Sequence, residues 1–128
     1  MRLLLDTHTF LWWCSDGAHL SLAVIDAVGN AENEVWLSVV SAWEIAVKAR
    51  LGRLPLPEPP SVFVPRMIER HALGVLPIHL KHTLADFDLP SHHHDPFDRL
   101  LVAQARAEGM TLVTDDRAVS QYPVETLW

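Results

Sequence analysis

The sequence predicts an α/β fold, with a parallel sheet of about five short strands flanked by helices in a single domain. Short apolar runs, such as residues 3–5 and 111–113, alternate along the chain with longer segments of helical periodicity. These runs are continuous rather than alternating, which is typical of parallel strands covered on both faces. Strands that alternate with helices imply right-handed crossovers into one parallel sheet.

The element boundaries follow from caps, glycines and prolines. In chain order we expect a strand at 2–5, helices at 7–13 and 21–28, a strand at 34–38, a helix up to residue 51, a helix at 61–71, a strand at 74–78, a helix at 79–87, a helix from 96 to 109, a strand at 111–114, a helical turn at 117–121 and a strand at 124–128. The helix after the second strand begins at Ser41, in a capping-box pattern with Glu44, or one turn earlier at Ser38. Pro77 places the third strand at an edge.

Composition restricts the class of protein. A chain of 128 residues forms one domain, and an apolar fraction of 49% is ordinary for a globular protein. The single Cys14 cannot form an internal disulfide, so we expect a reducing, cytoplasmic location. The leucines at 3–5 are too short a run for a signal peptide, and no apolar run could span a membrane. The net charge of −6 argues against nucleic-acid binding by bulk electrostatics.

The stretch from His93 to Ala105 organises the chain. Asp95 can cap a helix, and Pro96 suits its first position, where no N–H is required. Asp98 then falls in the first turn. A negative charge there can simply oppose the positive end of the helix dipole. It gains significance because acids occupy matching places elsewhere.

Four acidic positions are predicted to meet at one edge of the sheet. Asp6 follows the first strand, and the adjacent Asp115 and Asp116 follow the fourth. Glu44 and Asp98 lie near helix starts, which face the same edge. In an open parallel sheet the active crevice lies beyond the carboxyl ends of the strands.

Electrostatics indicates what such a cluster is for. Like charges a few ångströms apart cost roughly 1–4 kcal/mol per pair near a protein surface, so the acids do not serve stability. Either some carboxyls stay protonated or a cation lies among them. Oxygen ligands without cysteine favour Mg²⁺ or Mn²⁺. Such an ion can activate water and stabilise charge on a phosphate, so a nucleic-acid phosphodiester is the natural substrate.

Four motifs together resemble the PIN domain, and in particular the VapC-like ribonuclease toxins of type II toxin–antitoxin pairs. They occur in the family's order and span essentially the whole chain. The motifs are Leu4-Leu5-Asp6-Thr7-His8, Ser41-Ala42-Trp43-Glu44-Ile45, Asp95-Pro96-Phe97-Asp98-Arg99-Leu100-Leu101 and Thr114-Asp115-Asp116-Arg117. The Asp-Pro-Phe-Asp-Arg block is the most specific of them.

This resemblance implies a PIN domain over residues 1–128, acting as a Mg²⁺-dependent endoribonuclease that a cognate antitoxin holds inactive. Carried over by motif, the catalytic and metal-site acids are Asp6, Glu44, Asp98 and Asp116. Thr114 is implied as a supporting hydroxyl, because Asp116 matches the acid of the family's Thr-x-Asp pattern. Asp115 competes with Asp116 by one residue of register. Mn²⁺ is a possible substitute metal, and RNA is the implied substrate.

Each acid also has a structural interpretation. Asp6 and Asp116 can cap the helices that follow them, and Glu44 can be the reciprocal partner of a capping box. Asp95 is interpreted first as the cap that aims Asp98, with a supporting role at the site second. His8 is expected to pack or hydrogen-bond near the site.

Several other side chains are weaker candidates for binding. Phosphate contacts are possible at four arginines, Arg50, Arg53, Arg99 and Arg117. The histidines at 92–94 are interpreted as a polar loop that could contact RNA. Trp12 and Trp13 cannot both face one way on a helix, so one of them suits an interface in a homodimer or with the antitoxin.

Rival enzyme classes fit poorly. A haloacid-dehalogenase-type phosphatase needs a second aspartate two residues after the first, where this chain has His8. A receiver domain needs a lysine after a late strand, and Lys48 and Lys81 are badly placed for that. The remaining alternative is a catalytically inactive PIN-like module that binds RNA or a partner.

Overall fold

The computed structural model describes residues 1–128 and contains the predicted parallel sheet. In chain order the elements are β1 (Arg2–Leu5), α1 (Thr7–Cys14), α2 (Leu22–Gly29), β2 (Glu34–Ser38), α3 (Val39–Arg50), α4 (Pro60–Arg70), β3 (Gly74–Leu76), α5 (Leu80–Ala85), a 3₁₀ turn (Asp86–Asp88), α6 (Pro96–Glu108), β4 (Thr111–Val113), α7 (Arg117–Ser120) and β5 (Thr126–Leu127). The strand order is β3-β2-β1-β4-β5, and every neighbouring pair is parallel. The predicted α/β fold class is confirmed.

The central strand β1 explains its own continuous apolar sequence. Leu3 and Leu5 pack into one apolar cluster with side chains of α1, α2, α3 and α4, whereas Leu4 packs into a second cluster built largely on α6. All three leucines are fully buried. A strand covered on both faces needs apolar residues at every position, because successive side chains point to opposite faces.

Helix α3 begins at the earlier of the two predicted positions. Ser38 caps it, with Oγ accepting from the backbone N–H of Val40 at 2.9 Å. The capping box expected from Ser41 and Glu44 is not formed, because both residues lie inside the helix and are buried. Glu44 is thereby free to point toward the sheet edge rather than back along its own backbone.

Strand β4 ends one residue earlier than predicted, at Val113, and the two edge strands β3 and β5 are shorter by more. β3 ends at Leu76, because Pro77 has no backbone N–H to continue the ladder. Pairing of β5 is confined to Thr126–Leu127, since Val124 instead closes a tight turn by donating to the carbonyl oxygen of Tyr122. Both are edge strands, as expected for β3 from its proline.

Helix α6 has the ends that the sequence predicts. Asp95 accepts from the backbone N–H of Phe97 at 2.9 Å, and Pro96 is the first helical residue. Gly109 closes the helix with φ +66°, a left-handed conformation that favours glycine. Separately, no helix in the chain is both long and apolar enough to cross a membrane.

Candidate active site

A cleft of about 380 Å³ opens at the carboxyl ends of the central strands. It is lined by ten residues, of which six are aspartate or glutamate. The lining comprises Asp6, Thr7, His8, Trp12, Glu44, Lys48, Asp95, Asp98, Asp115 and Asp116. The structure therefore brings together the four acids expected to form the site, from four separate segments of the chain.

Asp6 lies where β1 passes into α1. Its carboxylate caps α1 by accepting from the Thr9 N–H at 2.8 Å, and its own N–H donates to the Val113 carbonyl at 3.1 Å. Burial raises the pKa of the Asp6 carboxyl above its usual range, against hydrogen bonds from Thr114 and Thr9 that lower it. Capping and placement in the cleft thus coexist, because the cap uses one oxygen, Oδ1.

Glu44 is buried where α3 crosses α1. Thr7 Oγ1 donates to its Oε1 at 2.6 Å, and Lys48, one turn further along α3, lies 2.5 Å from Oε2. Ser41 Oγ lies 3.0 Å from the same Thr7 hydroxyl. These contacts hold the Glu44 carboxylate in position with one neutral donor and one cation.

Asp98 faces the cleft from the first turn of α6. Burial, together with the nearby charges of Asp95, Glu44 and Asp116, raises the pKa of its carboxyl to about 6. A hydrogen bond from His93 opposes the rise. His93 Nε2 lies 3.3 Å from Asp98 Oδ2, which links the loop before α6 to the site.

Asp116 lies just beyond β4 and caps the short helix α7. Its Oδ1 accepts from the Ala118 N–H at 2.8 Å, while its own N–H donates to Thr114 Oγ1 at 3.1 Å. Thr114 is buried and its hydroxyl also contacts Asp6, so it connects two of the acids. Asp115 is exposed and lines the same cleft, so both members of the Asp115–Asp116 pair reach it.

The chemistry of the cleft fits a hard divalent cation. Side-chain atoms of His93, Asp98 and Asp116 lie within 4.8 Å of one another, close enough to share one ion. The neighbouring carboxylates that raise the pKa of Asp98 supply the negative charge that a cation would offset. Carboxylate oxygens are preferred ligands of Mg²⁺ and Mn²⁺, and an imidazole suits Mn²⁺ better than Mg²⁺.

None of the four candidate arginines lines the cleft. Arg99 is instead occupied by the protein, donating five hydrogen bonds to Asp86, Leu89, Pro90 and Tyr122. All of its N–H donors are thereby used, so it holds the segment before α6 against that helix. Arg50, Arg53 and Arg117 are exposed on the surface.

No role at the site was predicted from the sequence for Thr7, Lys48 or His93, whose side chains contact the acids. For Lys48 the signal is its position four residues after Glu44, a spacing that pairs charges on a helix. For His93 there is no local signal, because its partner Tyr122 is 29 residues away in the chain. His8 is among the residues that line the cleft.

The fold agrees with the comparisons with known proteins. A model of the PIN domain family matches residues 3–125, so this chain belongs to the PIN domain family. It is 33% identical to ribonuclease VapC22 of Mycobacterium tuberculosis, over 98% of both chains. Ribonuclease VapC16 of the same organism is 43% identical over a shorter match, 44% of this chain and 40% of that relative.

Solved structures share the same fold. VapBC2 from Rickettsia felis, bound to a DNA fragment from its promoter, superposes with a TM-score of 0.74 at 17% identity, covering 100% of this chain and 99% of that one. DNA-bound VapBC from Salmonella typhimurium superposes with a TM-score of 0.72 at 18% identity, covering 99% and 97%. The resemblance to VapC-like PIN-domain ribonucleases, stated from the motifs, is thus confirmed.

Proposed function

We propose that this protein is a Mg²⁺-dependent endoribonuclease and the toxin of a type II toxin–antitoxin pair. The observation that carries the proposal is the meeting of Asp6, Glu44, Asp98 and Asp116 around one cleft. The similarity to two ribonucleases supports RNA as the substrate. We further propose that residues 1–128 act as one PIN domain.

We assign a role to each of the four acids from the residues that surround it. Asp6, Asp98 and Asp116 would hold the ion, and Glu44, whose two oxygens are held by Thr7 and Lys48, would complete the acidic metal site beside them. Bound Mg²⁺ supplies Lewis-acid chemistry, lowering the pKa of water and stabilising charge on a phosphate. Thr114 orients Asp6 and Asp116, and Thr7 and Lys48 hold Glu44. Asp95 aims Asp98 by capping α6.

The decisive experiment is cleavage of total RNA by purified protein free of any partner. We expect discrete fragments with Mg²⁺ or Mn²⁺ and none with EDTA. Asp98→Asn is expected to abolish cleavage. Asp26→Asn is the matched control, because Asp26 is an exposed acid on α2 outside the cleft. Cleavage that survives EDTA or Asp98→Asn would contradict the proposal.

The proposed partner is a cognate antitoxin protein. Structural neighbours named as VapBC complexes support this partner. Expression of the chain alone is expected to arrest growth, and coexpression with the protein encoded beside it is expected to relieve the arrest. We also propose that the protein acts in the cytoplasm as a homodimer. Light scattering on the purified chain tests the homodimer directly.

The second candidate is a catalytically inactive PIN-like module that binds RNA or a partner. An inactive module would be expected to lack at least one of the four acids, and all four line the cleft, which favours the nuclease over this candidate. Well-folded protein that binds RNA without cleaving it, in Mg²⁺ and in Mn²⁺, would favour this second function.

A further inference from the structure

Trp12 is the one apolar residue that lines the acidic cleft. It is half-buried on α1, and its indole contacts three other rings. The ring centroids lie 5.9 Å from His8, 4.9 Å from His19 in a stacked arrangement, and 5.9 Å from Trp128 edge-on. We call these four side chains the aromatic wall. The other three members, His8, His19 and Trp128, are exposed.

The charges of the cleft indicate what the aromatic wall contributes to RNA binding. RNA carries a negative charge at every phosphate, and the cleft has six acids against one lysine, which is already paired with Glu44. The four candidate arginines lie elsewhere, and the net charge of the chain is −6. Apart from the charge of a bound cation, the cleft thus offers little to attract RNA, and contacts that do not depend on charge gain weight. Stacking of bases on aromatic rings is such a contact.

We propose that the aromatic wall binds an unpaired nucleobase of the RNA, next to the phosphate that the acids face. The proposal rests on the proposed function, because it takes RNA to the same cleft. Trp12 follows Asp6 by six residues of one helix, about 9 Å of rise, so a base adjacent to that phosphate can reach the ring. A base in a duplex has both faces stacked already, so the wall selects single-stranded segments.

The neighbouring Trp13 provides a matched control. Both tryptophans are half-buried on α1 and pack against the same apolar cluster. Trp13, however, lies against His71 with ring centroids 6.2 Å apart, and it does not line the cleft. A loss of packing affects both positions alike, whereas a loss of base stacking affects only Trp12.

The test measures binding of labelled oligoadenylate and of an RNA duplex in EDTA, in the Asp98→Asn background so that no cleavage occurs. We expect Trp12→Leu to weaken binding of the single strand by roughly 5- to 150-fold, the usual range for loss of one stacked base. Trp12→Phe retains most of the affinity, and Trp13→Leu leaves it unchanged. If Trp12→Leu does not fold, His8→Ala and His19→Ala, at exposed positions, are expected to weaken binding in its place.

Equal affinities for Trp12→Leu and Trp13→Leu, or an equal loss with the duplex, would overturn the aromatic wall. Its failure is distinguishable from failure of the nuclease. Cleavage that persists unchanged in Trp12→Leu would contradict base binding by the aromatic wall and support the nuclease activity. Binding that depends on Trp12, in a protein that never cleaves RNA, would support base binding and contradict the nuclease activity.

Discussion

The Tyr122 hydroxyl lies 2.9 Å from Nδ1 of His93, on the opposite side of the imidazole from Asp98. Tyr122 is buried, and its oxygen also accepts from Arg99 Nη1 at 3.2 Å. The His93 backbone N–H also donates to this hydroxyl at 3.3 Å, and the hydroxyl in turn lies 3.4 Å from the His93 carbonyl oxygen. A buried phenol thus holds in place the imidazole that contacts Asp98, a candidate metal ligand.

Tyr122→Phe is expected to weaken metal binding while the protein stays folded. Removing a partner that orients a metal-site residue typically costs about 10–100-fold in metal affinity or activity. Counting free Mn²⁺ by electron paramagnetic resonance measures the affinity, and thermal unfolding monitors the fold. His94→Asn is the control, since His94 is an exposed neighbour without a side-chain hydrogen bond. Unchanged Mn²⁺ affinity in Tyr122→Phe would remove the orienting role.

Asp98→Asn is expected to leave the metal-free protein as stable as the wild type or more stable. The substitution removes one of the like charges whose proximity raises the pKa of Asp98. Chemical denaturation in EDTA measures the free energy of unfolding. Mg²⁺ should then stabilise the wild type and have little effect on the variant, because only a bound ion shifts the equilibrium. A variant that unfolds in EDTA would indicate that Asp98 is structural instead. We expect the same pattern for Asp6→Asn.

Glu108→Gln is expected to lower stability near neutral pH, with the difference shrinking in acid. Hydrogen bonds from His82 and Lys81 lower the pKa of the Glu108 carboxyl from 4.5 to about 2. A lowered pKa stabilises the folded state above the unfolded value, and that stability is lost as pH falls from about 4.5 toward 2. The carboxylate is partly exposed, so solvent screening limits the effect to about 1 kcal/mol.

This prediction is checked by urea unfolding at pH values of about 7, 5.5, 4.5 and 3.5, which extend into the range in which a carboxyl group titrates. Glu32→Gln is the control, because Glu32 is exposed and forms no ion pair. A constant difference between Glu108→Gln and the wild type at every pH would show that the loss comes from packing around the buried His82.

Gly74→Ala is expected to destabilise the fold by about 1–3 kcal/mol through overpacking. A Cβ at Gly74 would lie 2.5 Å from Cε3 of Trp36, whose ring covers the glycine from the adjacent strand β2. Combining Gly74→Ala with Trp36→Leu should recover part of the loss, since the smaller side chain makes room. A double-mutant cycle with no coupling between the two positions would contradict this contact.

The sequence was most informative where a residue's role depends on its neighbours along the chain. The Asp95 cap, Pro96 at the first helical position and the left-handed Gly109 all follow from the backbone needs of one helix. The fully buried β1 follows from its unbroken apolar run. These features are local, so one segment contains the information that specifies them.

At the site, sequence reasoning placed the four acids but not the groups that hold them. Asp6 and Asp116 follow strands that parallel pairing brings side by side, so their shared edge could be predicted. The hydrogen bond from Thr7 to Glu44 depends on how α1 packs on α3, which no local pattern encodes. The start of α3 was ambiguous for the same reason, because Ser38 and Ser41 are both acceptable caps in isolation.

By itself, the sequence determined the parallel α/β fold, the caps of its principal helix and the identity of the clustered acids. Only the tertiary structure decided which basic side chains were free of protein partners and which aromatic rings lay at the cleft. Arg99 follows Asp98 directly in the chain, yet its N–H groups donate to the segment before α6. Tyr122, which is distant in sequence, orients His93. The physical reason is that hydrogen bonds between segments remote in sequence are selected by packing, and packing is a property of the whole fold.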